Sequence, residues 1–162
     1  SEFRLRPLVK QVLENQQLTL LSQRVRLDVK IDDLSLIADR SKLRLILENL
    51  LSNAIKYSPK GGSIHLHARA HGDNWQLDIA DSGSGIPPDE RARIFDAFYT
   101  GKVAPGGHVK GTGIGLSVVL EFVNAHGGMI EIVDGEYAGA HFCVRLPQRA
   151  ATVQTTEHAH AA

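Results

Sequence analysis

Cysteine, net charge and long apolar runs are what this chain has least of, and each shortage closes a class. A single cysteine, Cys143, excludes an internal disulfide framework and fits a reducing compartment. Lysine plus arginine (18) equals aspartate plus glutamate (18), so no overall field draws the chain to nucleic acid or to an anionic membrane, and no nucleic-acid partner is expected. No apolar run approaches the roughly 20 residues that span a bilayer, and no secretory signal is visible. The chain is therefore expected to be soluble. Internal repeats are absent as well. There is no initiator methionine: Ser1-Glu2-Phe3 reads as a cloning remnant joined to a fragment of something larger. The stretch from Ala150 to Ala162, rich in alanine, threonine and histidine without an apolar period, reads as a frayed tail. What is present is 162 residues at 43% hydrophobic content, the size of one domain with a proper core.

Periodicity orders the chain. Leu8, Val9, Val12 and Leu13 recur at helical spacing after Pro7, and Val25, Leu27, Val29 and Ile31 then alternate with polar residues as a strand. Leu34 to Ala38 offers a second short strand. Asp39 can cap a long helix through Tyr57 whose stripe is Leu43, Ile46, Leu47, Leu50, Leu51 and Ala54. Ile64, Leu66 and Ala68, then Trp75, Leu77 and Ile79, predict a hairpin turning at His71-Gly72-Asp73-Asn74. Pro87-Pro88-Asp89-Glu90 opens a short helix from Asp89 to Phe98. A glycine-rich stretch follows from Gly101 to Gly113, then a helix from about Ile114 to Ala125 with Leu116, Val119, Leu120 and Val123 inward. Strands at Met129 to Val133 and Ala140 to Leu146 end the pattern. The fold expected is α+β, a two-layer α/β sandwich with helices on one face of a mixed, mostly antiparallel sheet.

Three segments carry chemistry. Asn49, Asn53, Lys56 and Tyr57 fall in one sector of the long helix beside its apolar stripe. A carboxamide oxygen there, Asn53 before Asn49, is a hard ligand suited to Mg²⁺, while Lys56 can neutralise phosphate and Tyr57 can lie near a base. Two asparagines on a solvated helix face are the competing reading. Asp81 leaves a strand and precedes Gly83 and Gly85, which let a ligand approach the backbone. Its carboxylate only accepts hydrogen bonds, so it would select the amino group of adenine and repel the carbonyl of guanine; an ordinary turn has the same composition. Gly111-Thr112-Gly113-Ile114-Gly115 leads into a helix whose free amides favour phosphate. Leu116 stands where a dinucleotide fingerprint needs glycine, and Val103 follows Gly101-Lys102 where a Walker loop needs serine or threonine. Neither common loop fits.

The three segments and their spacing resemble the N box and the two glycine boxes of the catalytic ATP-binding domain of sensor histidine kinases, in the superfamily with the Bergerat-type fold. Arg93-Ile94-Phe95-Asp96-Ala97-Phe98-Tyr99 is similar to its F box. The resemblance covers residues 4–147, leaving 148–162 as tail, and implies that the dimerisation, phosphoacceptor and sensor parts lie outside these residues. It implies Mg²⁺ coordination by Asn53, phosphate contact by Lys56, and adenine packing by Tyr57. Adenine recognition falls to Asp81, a backbone turn to Gly83 and Gly85, and the base pocket to Ile86 and Leu116. Gly111, Thr112, Gly113 and Gly115 would cradle the triphosphate of ATP, and Lys102 would reach its terminal phosphate. Partners implied are the protein's own phosphoacceptor domain and a response regulator; the location implied is the cytoplasmic side of an inner-membrane sensor.

Relatives of this superfamily that hydrolyse ATP, namely gyrases, mismatch-repair ATPases and the heat-shock chaperone, carry a glutamate where this chain has Asn49. An amide cannot act as a general base at neutral pH, which favours keeping the γ-phosphoryl group for a protein acceptor; the resemblance implies that this acceptor is a histidine and, with Asn49, makes Lys56 and Lys102 the catalytic candidates. The alternatives are a hydrolase, an anti-sigma-like serine kinase, and a nucleotide-binding module without catalysis. No histidine here precedes an acidic residue and an apolar helix as a phosphoacceptor would. His65, His67 and His71 could be taken as a metal cluster, but with no supporting partner evident they read as a solvated strand face.

Overall fold

The computed structural model describes residues 1–96 and 115–149. Its elements run β1 (Glu2–Arg4), α1 (Leu5–Asn15), α2 (Gln17–Gln23), β2 (Arg26–Ile31), β3 (Ser35–Ile37), α3 (Arg40–Tyr57), β4 (Ser63–His71), β5 (Asn74–Asp81), α4 (Gly115–Ala125), β6 (Met129–Ile132) and β7 (His141–Pro147). Five strands form one sheet in the order β2-β4-β5-β7-β6, and β1 pairs with β3 in a second, two-stranded sheet. Only β2 and β4 of the main sheet are parallel. A parallel pair needs a long crossover, and α3 lies in that connection. The α+β sandwich expected from the sequence is the fold found.

Strand register decides which side chains reach the helices. Leu66 pairs with Ile79, Ile79 with Phe142, and Leu77 with Val144; all are buried against the helix layer. Leu43, Ile46, Leu50 and Ala54 of α3, Leu8 and Val12 of α1, and Val119 and Val123 of α4 complete the core from the other side. Because Ile64 pairs with Asp81, Asp81 ends β5 on this same inner face. His65, His67, Asp78, His141 and Cys143 alternate with the core residues and take the outer face. Burial pushes the Cys143 thiol up to about 12, leaving it protonated and unreactive.

Asp39 caps α3, its side chain accepting from the Lys42 amide at 3.1 Å. Asp39→Ala should cost about 1 kcal/mol, the usual worth of such a cap, read as a lower midpoint in chemical denaturation with an unchanged slope.

Glu2–Arg4 form strand β1, whose Phe3 pairs with Leu36. Two expectations of the element pattern need correction. A second helix, α2, follows α1. In place of a helix from Asp89 onward there is a single 3-10 turn, Pro88–Glu90, followed by further turns to Phe95. Most local bonds are of the tighter type, Glu90 N–H to Pro87 O, Arg93 N–H to Glu90 O and Asp96 N–H to Arg93 O, with a single α-type bond from Ile94 N–H to Glu90 O. Arg91 draws this segment away from a regular helix by donating to Ile86 O at 3.2 Å and forking onto Asp134 at 2.6 and 2.7 Å. Ala97 and Phe98, the end of that expected helix, lie outside the described residues.

Candidate nucleotide site

The rim of α3 is the frame of the site. Asn49, Asn53, Lys56 and Tyr57 are all half-buried along it, as the helical period predicts. Asn49 donates through Nδ2 to the Leu45 carbonyl at 2.8 Å. Its Oδ1 faces the first residue of α4, where a Cβ on Gly115 would lie 3.0 Å from that oxygen. The Lys56 ammonium stands 5.4 Å from the centre of the Tyr57 ring. Burial, with the Glu90 carboxylate adding to it, pushes the Tyr57 phenol above its ordinary range.

Asp81 closes the far side of this frame and is only 4% exposed. Its Oδ1 accepts from the backbone N–H of Gly83 at 2.8 Å and of Ala140 at 3.2 Å. Burial raises its pKa above the usual carboxylate value, and the two amides act against that rise. The packing there leaves no room for a methyl group. A Cβ on Gly83 would overlap the Tyr57 carbonyl oxygen, and one on Gly139 would overlap Asp81 Oδ1. Ser82 adds a stitch: its Oγ accepts from Ser63 N–H at 2.9 Å, fixing the strand end to the segment that follows α3. Gly85 begins the turn towards Ile86, and Ile86 and Leu116 are half-buried at the edge of the core.

Asn49, Asn53, Lys56, Tyr57, Asp81, Gly83, Gly85, Ile86, Gly115 and Leu116 thus stand on the rim of α3 or on the two segments packed beside it. Lys102, Gly111, Thr112 and Gly113 lie outside the described residues. Sequence reasoning missed Gly139 and the Ala140 amide, which hold Asp81 from 58 and 59 residues away; Gly139 just before an alternating strand was the available signal. It also misread two histidines. His65 Nδ1 and His67 Nε2 both lie 2.9 Å from Asp28 Oδ2, so they are partnered, and His71 is not part of the group. Hydrogen bonds from His65 and then His67 pull the Asp28 carboxyl down to about 2. Glu48, the carboxylate next to Asn49, is turned 3.9 Å from Arg44 on its own helix.

An acid buried at a strand end, a polar helix rim and a glycine at a helix start thus lie together on a two-layer sandwich. The chain belongs to the family described as histidine kinase-, DNA gyrase B-, and HSP90-like ATPase, whose model matches residues 38–150, and it is an ATP-binding domain of the histidine-kinase catalytic type. It is 33% identical over 143 residues to the sensor histidine kinase GlrK of Escherichia coli K12, a match covering 88% of this chain and 30% of that protein. The chain therefore spans less than a third of that relative. The catalytic domain of histidine kinase ThkA superposes with a TM-score of 0.81 at 26% identity, covering 93% of this chain and 97% of that one. ThkA solved in complex with the response regulator protein TrrA matches at a TM-score of 0.77 and 25% identity, over 91% of this chain and 41% of that one. Among the described residues no helix is long and apolar enough to cross a membrane.

Proposed function

We propose that this domain binds ATP with Mg²⁺ and transfers the γ-phosphoryl group to a histidine of a separate helical-hairpin domain, from which an aspartate of a response regulator takes it. The observation that carries the reading is the convergence on α3. Gly83, two residues past Asp81, packs against the Tyr57 carbonyl, and Gly115, at the end of the last glycine box, packs against Asn49. In this reading Asp81 accepts the adenine amino group through Oδ2 while the backbone holds Oδ1. Tyr57, Ile86 and Leu116 pack on the base, and Gly83 and Gly85 turn the chain beneath it.

Mg²⁺ fits the donor set: it takes one or two protein oxygens and fills its remaining positions with water and phosphate. The half-buried carboxamide of Asn53 is the ligand, with Asn49 Oδ1 nearby along the same rim. Bound there, the ion neutralises charge on the phosphates. Lys56 offsets their negative charge further; Gly111, Thr112, Gly113 and Gly115 cradle them; Lys102 meets the terminal one. Asn49 leaves the attacking position without a base, and Glu48 does not replace it, being directed towards Arg44. That geometry favours transfer over hydrolysis. The full-length protein is proposed to be an inner-membrane sensor with this domain on the cytoplasmic side.

Mixing the domain with γ-labelled ATP and its matching helical hairpin tests the proposal. Acid-labile, alkali-stable label on the hairpin is the expected result. Label released only as inorganic phosphate would support the hydrolase reading instead, and binding without either product would leave a non-catalytic module.

A further inference from the structure

We infer that Asp28, His65 and His67 form a binding site for a divalent transition-metal ion of the Zn²⁺ class, on the sheet face opposite the nucleotide cleft. The inference is independent of the nucleotide chemistry. β4 supplies two imidazoles at positions i and i+2, which alternation places on one face, and parallel pairing sets Asp28 of β2 directly beside His65. One ligand atom from each of the three, two nitrogens and a carboxylate oxygen, lie within 4.8 Å of one another.

The spacing is close to that of a coordination sphere. Two ligands about 2.0–2.1 Å from a metal lie about 2.9 Å apart at the right angles of an octahedral site and about 3.3 Å apart in a tetrahedral one, so seating Zn²⁺ opens these contacts by about 0.4 Å. His65 Nδ1 and His67 Nε2 each keep 2.9 Å from Asp28 Oδ2. Each imidazole now directs its proton at the carboxylate; shifting that proton to the other ring nitrogen presents a lone pair to an ion in the same place. Two imidazoles with one carboxylate suit Zn²⁺, Fe²⁺, Co²⁺ or Ni²⁺ and do not suit Mg²⁺, which takes oxygen. Three protein ligands leave positions open for water or a further donor.

The surroundings support a built site. Tyr137 lies against the His65 ring, centroids 4.6 Å apart, and edge-on to His141 at 5.1 Å. His141 is fixed in turn by Asp78 at 2.8 Å. Such outer contacts hold a ligating ring in orientation. The side chains of Asp28, His65 and His67 are 38%, 30% and 25% exposed, so an ion can enter from solvent.

Calorimetric titration of the full chain with Zn²⁺, without nucleotide or Mg²⁺, tests the site. One bound ion per chain is expected, weakened at least ~100-fold by His67→Ala and retained when His158 and His160 of the tail are both changed to alanine. Zn²⁺ binding that survives His67→Ala, or that disappears with the two tail histidines, overturns the site. If His67→Ala fails to fold, substoichiometric Co²⁺ added to the unaltered chain should shift the ring resonances of His65 and His67 before those of His71 and His126. An equal response from all histidines overturns it too.

Discussion

Asp81→Asn should bind a non-hydrolysable ATP analogue about 10- to 100-fold more weakly than the unaltered domain, since a hydrogen bond to a charged group contributes about 1.5–3 kcal/mol. Isothermal calorimetry measures it, and a melting curve shows that the fold is kept. Asparagine preserves Oδ1 as acceptor for the Gly83 and Ala140 amides, so the local backbone has no reason to move. The other carboxylate oxygen becomes an amino group, and a donor then faces the adenine amino donor. The same change should narrow the preference for ATP over GTP, because the guanine carbonyl can accept from the new amide. Acid acts in the same direction on binding. Burial raises the folded pKa of Asp81 above its unfolded value, so protonation stabilises the empty domain, and that contribution is lost as pH rises through the folded pKa. The complex needs the ionised carboxylate, so affinity should fall from pH 7 into the acid range and begin to do so above the usual carboxylate range. Affinity unaltered by Asp81→Asn would remove this residue from base recognition.

What was legible in the sequence was local. Alternation in β4 and β5 gave the correct inner face, and the apolar stripe from Leu43 to Ala54 gave α3 with its cap at Asp39. Asp81 could be placed at a strand end because the alternating residues run directly into it. What holds it could not, because the Ala140 amide lies 59 residues later in the chain, at the start of the neighbouring strand, and only the β5–β7 register brings the two together. Asp28 was missed as a partner of His65 and His67 for the same reason, since the parallel pairing of β2 with β4 spans α3. β1 is three residues long and takes its register from β3, more than thirty residues later. α2 buries only Leu20 while Leu18 and Leu21 are exposed, which leaves no stripe to detect. The turns after Pro88 carry every local helix signal, yet Arg91 makes its strongest bonds to Asp134, a residue no local pattern could nominate.

Gly139→Ala should lose both stability and nucleotide, in contrast to Asp81→Asn. The added methyl would meet Asp81 Oδ1, the Asp81 carbonyl oxygen and the Gly83 amide nitrogen, so the clash falls largely on backbone that the sheet holds in place. Forcing a methyl into such a site costs about 1–3 kcal/mol, read as a lower denaturation midpoint. Relief of the clash requires the Asp81 carboxylate to swing or the β5 end to part from β7, and either movement misplaces the base-reading oxygen. Gly83→Ala should act similarly through the Tyr57 carbonyl, disturbing the end of α3. Gly72→Asn is the control, because nothing lies within 4 Å of a Cβ there and asparagine tolerates the left-handed backbone at φ +65°. If Gly139→Ala melts like the unaltered chain and binds ATP as tightly, Asp81 is not held rigidly against β7. A lower midpoint with normal affinity would mean that the clash is relieved away from the cleft, and the site's order would then rest on Gly83 and α3 alone.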